Sequence, residues 1–262
     1  MKYIENKNIR AVLFDLDGTI YYGSKLIPGA DEVVRRCREL GKQVYFMTNN
    51  STKTRKQIWE KLTGMGLAAQ AKRDGIQILG VGEMGIGNTT TSSAVAAALL
   101  GQPVERMTGR GAGLSDAGLA RKIDAIRRGI AVNRPKADDP LDVLAKLGGL
   151  DIAGLCGMFL GGAIHGIPIV MDGFISGVAA LCAARLCPNA GKAAFASHAS
   201  SEPAARLVLE ALGKQPLITA DMHLGEGTGA VASIPLWDMA LAVYQNCYSF
   251  AEGGIEPYTP QC

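Results

Sequence analysis

The chemistry of this chain concentrates where glycines meet hydroxyl-bearing residues. In IQILGVGEMGIGNTTTSSAVAAALL, Ile76 to Leu100, a short β-branched run is followed by Gly80, Gly82, Gly85 and Gly87, then Asn88 and Thr89 to Thr91, then an alanine-rich run. The expected order is strand, loop, helix. The first N–H groups of such a helix have no partner within it, and the helix dipole places partial positive charge there, so the turn suits a phosphate. Gly85 and Gly87 allow close backbone approach, and Asn88 and Thr89 add polar side chains at the cap. The triplet Gly80, Gly82, Gly85 also spells the dinucleotide fingerprint. Here, however, the helix starts too late, and no second strand ends in an acid about 20 residues on. Two further sets of acids stand out: Asp15 and Asp17 at the end of AVLFDLDGTI, which alternation in an extended chain points to one side, and Glu226, alone between two glycines in LGEGTGA.

The elements that must position these groups are those of an α/β protein. Apolar strands that end in polar residues recur at AVLFD, QVYFMTNN, GIPIVMDG and KAAFASH, with helical runs between them, so the expected fold is a doubly wound parallel sheet with helices on both faces and a small helical appendage. A helix is expected over residues 29 to 40 and another over 53 to 65, and the small, polar stretch 68 to 75 reads as a junction between segments 1–67 and 76–262. The apolar run from Leu144 to Ile164 and the helix DGFISGVAALCAARLC are rich in small residues, which suits tight helix packing or a subunit contact.

With 262 residues the chain can bury a large core, and its formal charge of +3 is too small and too dispersed to argue for nucleic acid or membrane. The opening MKYIENKNIRAVLF lacks the apolar region of a signal peptide, and no apolar run reaches the roughly 18 residues of a membrane span, so a cytoplasmic location is expected. The six cysteines form no C-x-x-C pair and read as mostly buried thiols. Neither His165 nor His223 belongs to a metal-spaced cluster, and no zinc site is expected.

DLDGT, then YYGSKLIPGA and a strand ending in TNNS, resembles the opening of the haloacid-dehalogenase-like phosphatases over residues 9 to 67. That resemblance implies Asp15 as nucleophile, Asp17 as general acid and base, Thr48 and Asn49 at the phosphate, and Mg²⁺ bound at Asp15 and Asp17. The later acidic pair such an enzyme needs is not found; Asp138 and Asp139 lie in a Pro-flanked polar loop.

From about Ile76 to Tyr244 the chain resembles the nicotinate-nucleotide:dimethylbenzimidazole phosphoribosyltransferases. The resemblance is carried by GEMGIGNTTTSSAV, GRGAGLSDAGLARK, DPLDVLAKLGGLDIAGLCGMFLGGAI, PIVMDGFISGVAAL, SHASSEPAARLVLEAL and LGEGTGA, in that order. It implies transfer of the ribose phosphate of nicotinate mononucleotide to dimethylbenzimidazole, without cofactor, in a homodimer. Gly85, Ile86, Gly87, Asn88 and Thr89 would hold the phosphate, with Glu83 and Met84 near the sugar and rings. Gly109, Arg110 and Gly111 would form a second glycine loop near the ribose, beside Lys122. Asp172 ends a strand where open α/β sheets gather ligands, and Ser197, His198 and Ser200 follow another. Leu224 and Gly225 lead to Glu226, the implied general base. Members of that family carry a long segment ahead of the Gly-rich loop, which the phosphatase-like opening replaces here. Three functions stay open on the residues: this transfer, a Mg²⁺-dependent phosphatase, and a catalytically silent mononucleotide-binding protein.

Overall fold

The computed structural model describes residues 11–15, 21–22, 25–26, 30–40, 43–47, 63–249 and 251–256. Three short parallel strands organise the region that carries the site: β5 (Leu79–Gly80), β6 (Ile169–Met171) and β7 (Ala194–Ala196), in the order β5-β6-β7. Leu79 stands opposite Ile169, and Val170 opposite Phe195. Such strands are covered on both faces, so they read as apolar runs without alternation, and Ile169, Val170 and Met171 are all buried.

Ahead of them, β1 (Ala11–Asp15) pairs in parallel with β4 (Gln43–Met47), and β2 (Tyr21–Tyr22) pairs antiparallel with β3 (Lys25–Leu26). Helix α1 (Ala30–Glu39) lies between β3 and β4 in sequence, close to the helix expected over 29–40. The fold class is thus α/β with parallel strands, as expected, but the sheet is not one composite layer. Among the described residues β1 and β4 pair with each other and not with β5 to β7.

The stretch read as a junction is largely helical. Residues 68–73 lie inside helix α2 (Thr63–Arg73), whose Ala68 and Ala71 are buried. The helix expected over 53–65 falls mostly outside the described residues. Small residues let α2 lie directly on α7 (Leu150–His165): a methyl group on Gly64 would enter the space of the Gly154 carbonyl, and one on Gly161 would stand 2.6 Å from Ala68 Cβ. The composition that reads as a linker is instead the surface of a close helix crossing.

The remaining helices follow their local signals. Helix α3 (Asn88–Leu100) is buried over most of its length and starts after Gly87; the single turn α4 (Val104–Met107) follows. Helix α5 (Asp116–Asn133) opens with Ser115, whose side chain accepts from Gly118 N, and α6 (Pro140–Leu147) opens with Asp139, which accepts from Asp142 N, ahead of a proline at the first helical position. Helix α7 ends at Gly166 in the left-handed conformation. Helix α8 (Phe174–Leu186) is buried along its first ten residues; α9 (Pro188–Ala193) and α10 (Ala205–Ala211) complete the cover. Helix α11 (Thr228–Asn246) carries Pro235 inside it and leaves Val231, Met239, Leu241, Val243 and Tyr244 exposed. The main core joins α3, α7 and α8 to the strands, with Phe159, Ile152, Leu155, Leu181 and Val95 fully enclosed.

Candidate active site

Parallel strands release their carboxyl ends on one edge of the sheet, and ligands collect outside that edge. Here β5 runs out into Val81 to Gly87, β6 into Asp172, and β7 into Ser197 and His198. A fourth segment, Leu224 to Gly227, is drawn in from the far end of the chain.

The Gly-rich loop turns as expected. Gly85 and Gly87 have φ of 85° and 82°, and no side chain caps α3. The end of α3 is therefore open to an anion. Lys122, on α5, adds positive charge beside it: its Nζ donates to Thr89 Oγ1 at 3.0 Å and to the Gly109 carbonyl at 2.9 Å. Lys122 is buried, and burial holds its pKa below the ordinary lysine value, partly opposed by the nearby Glu202 carboxylate. Glu202 accepts from Gly111 N at 3.0 Å, and a Cβ on Gly109 would collide with its carboxylate. The second glycine loop is thus fastened between α3, Lys122 and Glu202. Arg110 does not join it. Its guanidinium donates to the Leu114 carbonyl at 2.8 Å and pairs with Asp116 on the molecule's surface.

Glu83 is buried and accepts from the Asn88 side-chain amide, whose other hydrogen goes to Asp151 Oδ2 at 2.8 Å. One asparagine therefore bridges two buried carboxylates, and burial raises the Asp151 pKa above the usual carboxylate value. Asp151, in the first turn of α7, was not foreseen, and neither was Glu202. Nothing local marks them, because each acts on a partner distant in sequence.

The loop of Glu226 lies against the Gly-rich loop. Glu226 N donates to the Glu83 carbonyl at 2.7 Å, and a Cβ on Gly82 would overlap Gly227. Gly225, Glu226 and Gly227 are all left-handed, with φ of 76°, 57° and 77°. For glycine this is ordinary; for a glutamate it costs on the order of 1 kcal/mol, and such residues gather at functional sites. Glu226 is exposed, two residues after exposed Leu224, 67 %, and Ile86 in the Gly-rich loop is exposed as well, 66 %. Met84 is half-buried, and its carbonyl lies close to Gly225.

Asp172, expected among the ligand-binding residues, has its carboxylate occupied by that loop: Oδ2 accepts from Gly227 N at 3.0 Å and Oδ1 from Gly229 N at 2.7 Å. Its pKa is raised by burial, against those two hydrogen bonds. His198 Nδ1 is 3.9 Å from Asp172 Oδ1. The Ser197 hydroxyl donates to the Asp172 carbonyl at 2.8 Å, so its oxygen is free to accept from His198 Nδ1–H at 3.1 Å, leaving Nε2 as the basic nitrogen. Burial keeps the His198 pKa below its ordinary value. Ser200 lines a small, largely apolar pocket together with Asp172, His198, Phe174 and Val208.

Among the described residues no group of three or more His, Cys, Asp or Glu side chains could hold a metal ion. Asp15 ends β1, opposite Met47. Asp17, Thr48 and Asn49 lie outside the described residues, and with them the Mg²⁺ site of the phosphatase reading.

A fold in which a glycine loop, a buried lysine and a lone glutamate meet at the carboxyl edge of a parallel sheet fits a nucleotide-processing transferase. The comparisons place it more closely. A family profile described as phosphoribosyltransferase matches residues 34–255, and the chain belongs to that family. It is 47 % identical over 225 residues to the nicotinate-nucleotide–dimethylbenzimidazole phosphoribosyltransferase of Acetivibrio thermocellus, covering 86 % of this chain and 64 % of that protein. With the enzyme of the same name from Ruminiclostridium cellulolyticum it shares 42 % over 224 residues, 85 % of this chain and 64 % of that one. The chain thus spans slightly under two thirds of these relatives' length. Among solved structures, CobT from Thermus thermophilus superposes with a TM-score of 0.77 at 32 % identity, over 94 % of this chain and 86 % of that one. These findings do not support the phosphatase resemblance. The family match begins at residue 34, inside the span read as phosphatase-like and well ahead of the boundary placed at Ile76.

Proposed function

We propose that this chain transfers the ribose phosphate of nicotinate mononucleotide to dimethylbenzimidazole, releasing nicotinate, as the names of its relatives describe. The observation that carries the reading is the hydrogen bond between Glu226 N and the Glu83 carbonyl, which joins the implied base to the loop that would hold the mononucleotide.

The chemistry needs little more than placement. One nitrogen of the benzimidazole attacks C1′ of the ribose; the bond from C1′ to the pyridinium nitrogen breaks, and its electron pair neutralises the departing nicotinate. The proton on the other benzimidazole nitrogen passes to the Glu226 carboxylate and then to water. The substrate carries its own activated leaving group, so the reading asks for no cofactor. Holding the phosphate at the start of α3 and Lys122, and the incoming ring beside Glu226, turns an encounter of two molecules into a step within one complex.

General base catalysis of this kind contributes about 10²- to 10⁴-fold. Glu226→Gln is expected to bind nicotinate mononucleotide as the parent does, by calorimetry, and to lose turnover by about that factor in a nicotinate-release assay. Turnover equal to the parent's would overturn the role. Binding without any release from the parent would instead mark a silent mononucleotide-binding protein. The reading carries with it a cytoplasmic location and a homodimer, and the exposed apolar residues of α11 support the homodimer.

A further inference from the structure

We infer that Asp172 is a positioning residue that holds Glu226 in its working conformation, and not a ligand of the substrate. The inference rests on the proposed role of Glu226 as base. Asp172 is the first residue after β6 and is itself buried, so its carboxylate is fixed to the stiffest part of the molecule. Both of its oxygens accept backbone N–H groups from the same short segment, at 3.0 Å from Gly227 and 2.7 Å from Gly229. Glu226 stands immediately before this clamp with φ of 57°, between two glycines that are also left-handed. Within the segment one turn closes on the Gly225 carbonyl, which accepts from Thr228 N at 3.0 Å and from the Thr228 hydroxyl at 2.7 Å, and the amides of Glu226 and Gly227 have no partner inside that turn. The three left-handed residues persist because something outside it over-determines them. The Glu83 carbonyl fixes Glu226 N from one side, and Asp172 fixes the two amides that follow from the other.

The fit extends one shell deeper. A Cβ on Gly229 would run into the His198 ring and come within 2.8 Å of Asp172 Oδ1, so the segment lies flat against both groups. His198 Nδ1 is turned to Ser197, which is bonded in turn to the Asp172 carbonyl. The end of β7 therefore braces the end of β6, and β6 holds the glutamate's loop.

Asp172→Asn tests this, because it keeps size and shape but offers an NH₂ group where one of the two amides needs an acceptor. Amide hydrogen exchange at Gly227 and Gly229 is expected to rise at least about tenfold, while Val81 N, bonded to the Val170 carbonyl in the sheet, keeps its protection. Turnover is expected to fall about ten- to a hundredfold with little change in KM for the mononucleotide. Added to Glu226→Gln, the same change should cost nothing further. Unchanged exchange at both glycines, or an equal loss with and without the Glu226 carboxylate, overturns the inference. Gly229→Ala pries the same clamp open from the loop side and should give the same pattern. If the parent releases no nicotinate, the functional reading fails, while the exchange measurements still decide whether Asp172 holds the loop.

Discussion

Asn88 shows how much a single side chain carries here. It heads α3, where sequence reasoning places it as a cap or phosphate ligand, but its amide hydrogens are directed inward to Glu83 and Asp151. Removing it leaves two buried carboxylates facing each other, and an unsatisfied buried polar group costs about 1–3 kcal/mol, more when charged. Asn88→Ala is therefore expected to lose about 2–4 kcal/mol at pH 8. Burial already raises the Asp151 pKa. Below that raised value the protonated acid can donate to its neighbour, so the loss should shrink toward pH 4; urea unfolding at the two pH values measures it. An equal loss at both would argue against two facing charges. The residues that type and spacing could reveal were those with a local signature: the glycines with positive φ and Glu226 between its glycines, whereas the threonines read as cap oxygens do not cap α3. Asp151 and Glu202 had none, since their partners Asn88 and Gly111 are 63 and 91 positions away. Asp172 was legible as a strand-end acid, but nothing in a strand-end acid says whether it faces a ligand or a loop.

The elements themselves were mostly readable, because the strands are apolar without alternation and the helices carry recognisable ends. What misled was the use of small residues. AAQAKRDG reads as a junction, yet its first six residues continue a helix that the glycines at 64 and 161 let pack closely on α7. Periodicity describes one helix at a time and cannot report how near its partner comes. The closeness has a measurable cost: Gly64→Ala puts a methyl group into the Gly154 carbonyl and 2.5 Å from Met158 N, both backbone and unable to swing aside. The α2–α7 pair must separate, and overpacking of this kind typically costs about 1–3 kcal/mol. Gly66→Ala, on the same helix with nothing within 4 Å of the added carbon, should be neutral or stabilising by a few tenths of a kcal/mol. The difference between the two midpoints in urea isolates the crossing from helix propensity.

At the scale of the whole molecule, the described residues divide into a tightly enclosed body around β5, β6 and β7 and a long helix, α11, that leaves it. Its start is buried at Gly229, Ala230 and Ser233, whereas beyond Pro235 it presents Met239 at 58 %, Leu241 at 53 %, Val243 at 60 % and Tyr244 at 86 % exposure. An apolar stretch of this kind marks a surface made to be covered. In a homodimer, Met239→Lys with Val243→Lys is expected to shift the sedimentation coefficient to that of a single chain while the far-ultraviolet spectrum stays that of the parent; an unchanged dimer would place the contact elsewhere.

The three left-handed residues around Glu226 set up a conflict between durability and catalysis. A glutamate at φ of 57° is less comfortable there than the glycines beside it. Glu226→Gly should consequently melt a few degrees above the parent even though the proposed role has it losing turnover, since relief of such a conformation gains roughly 0.5–1 kcal/mol. Selection for heat resistance alone would erode this position first, and under the proposed mechanism the demand for a proton acceptor at that spot is what keeps a side chain there.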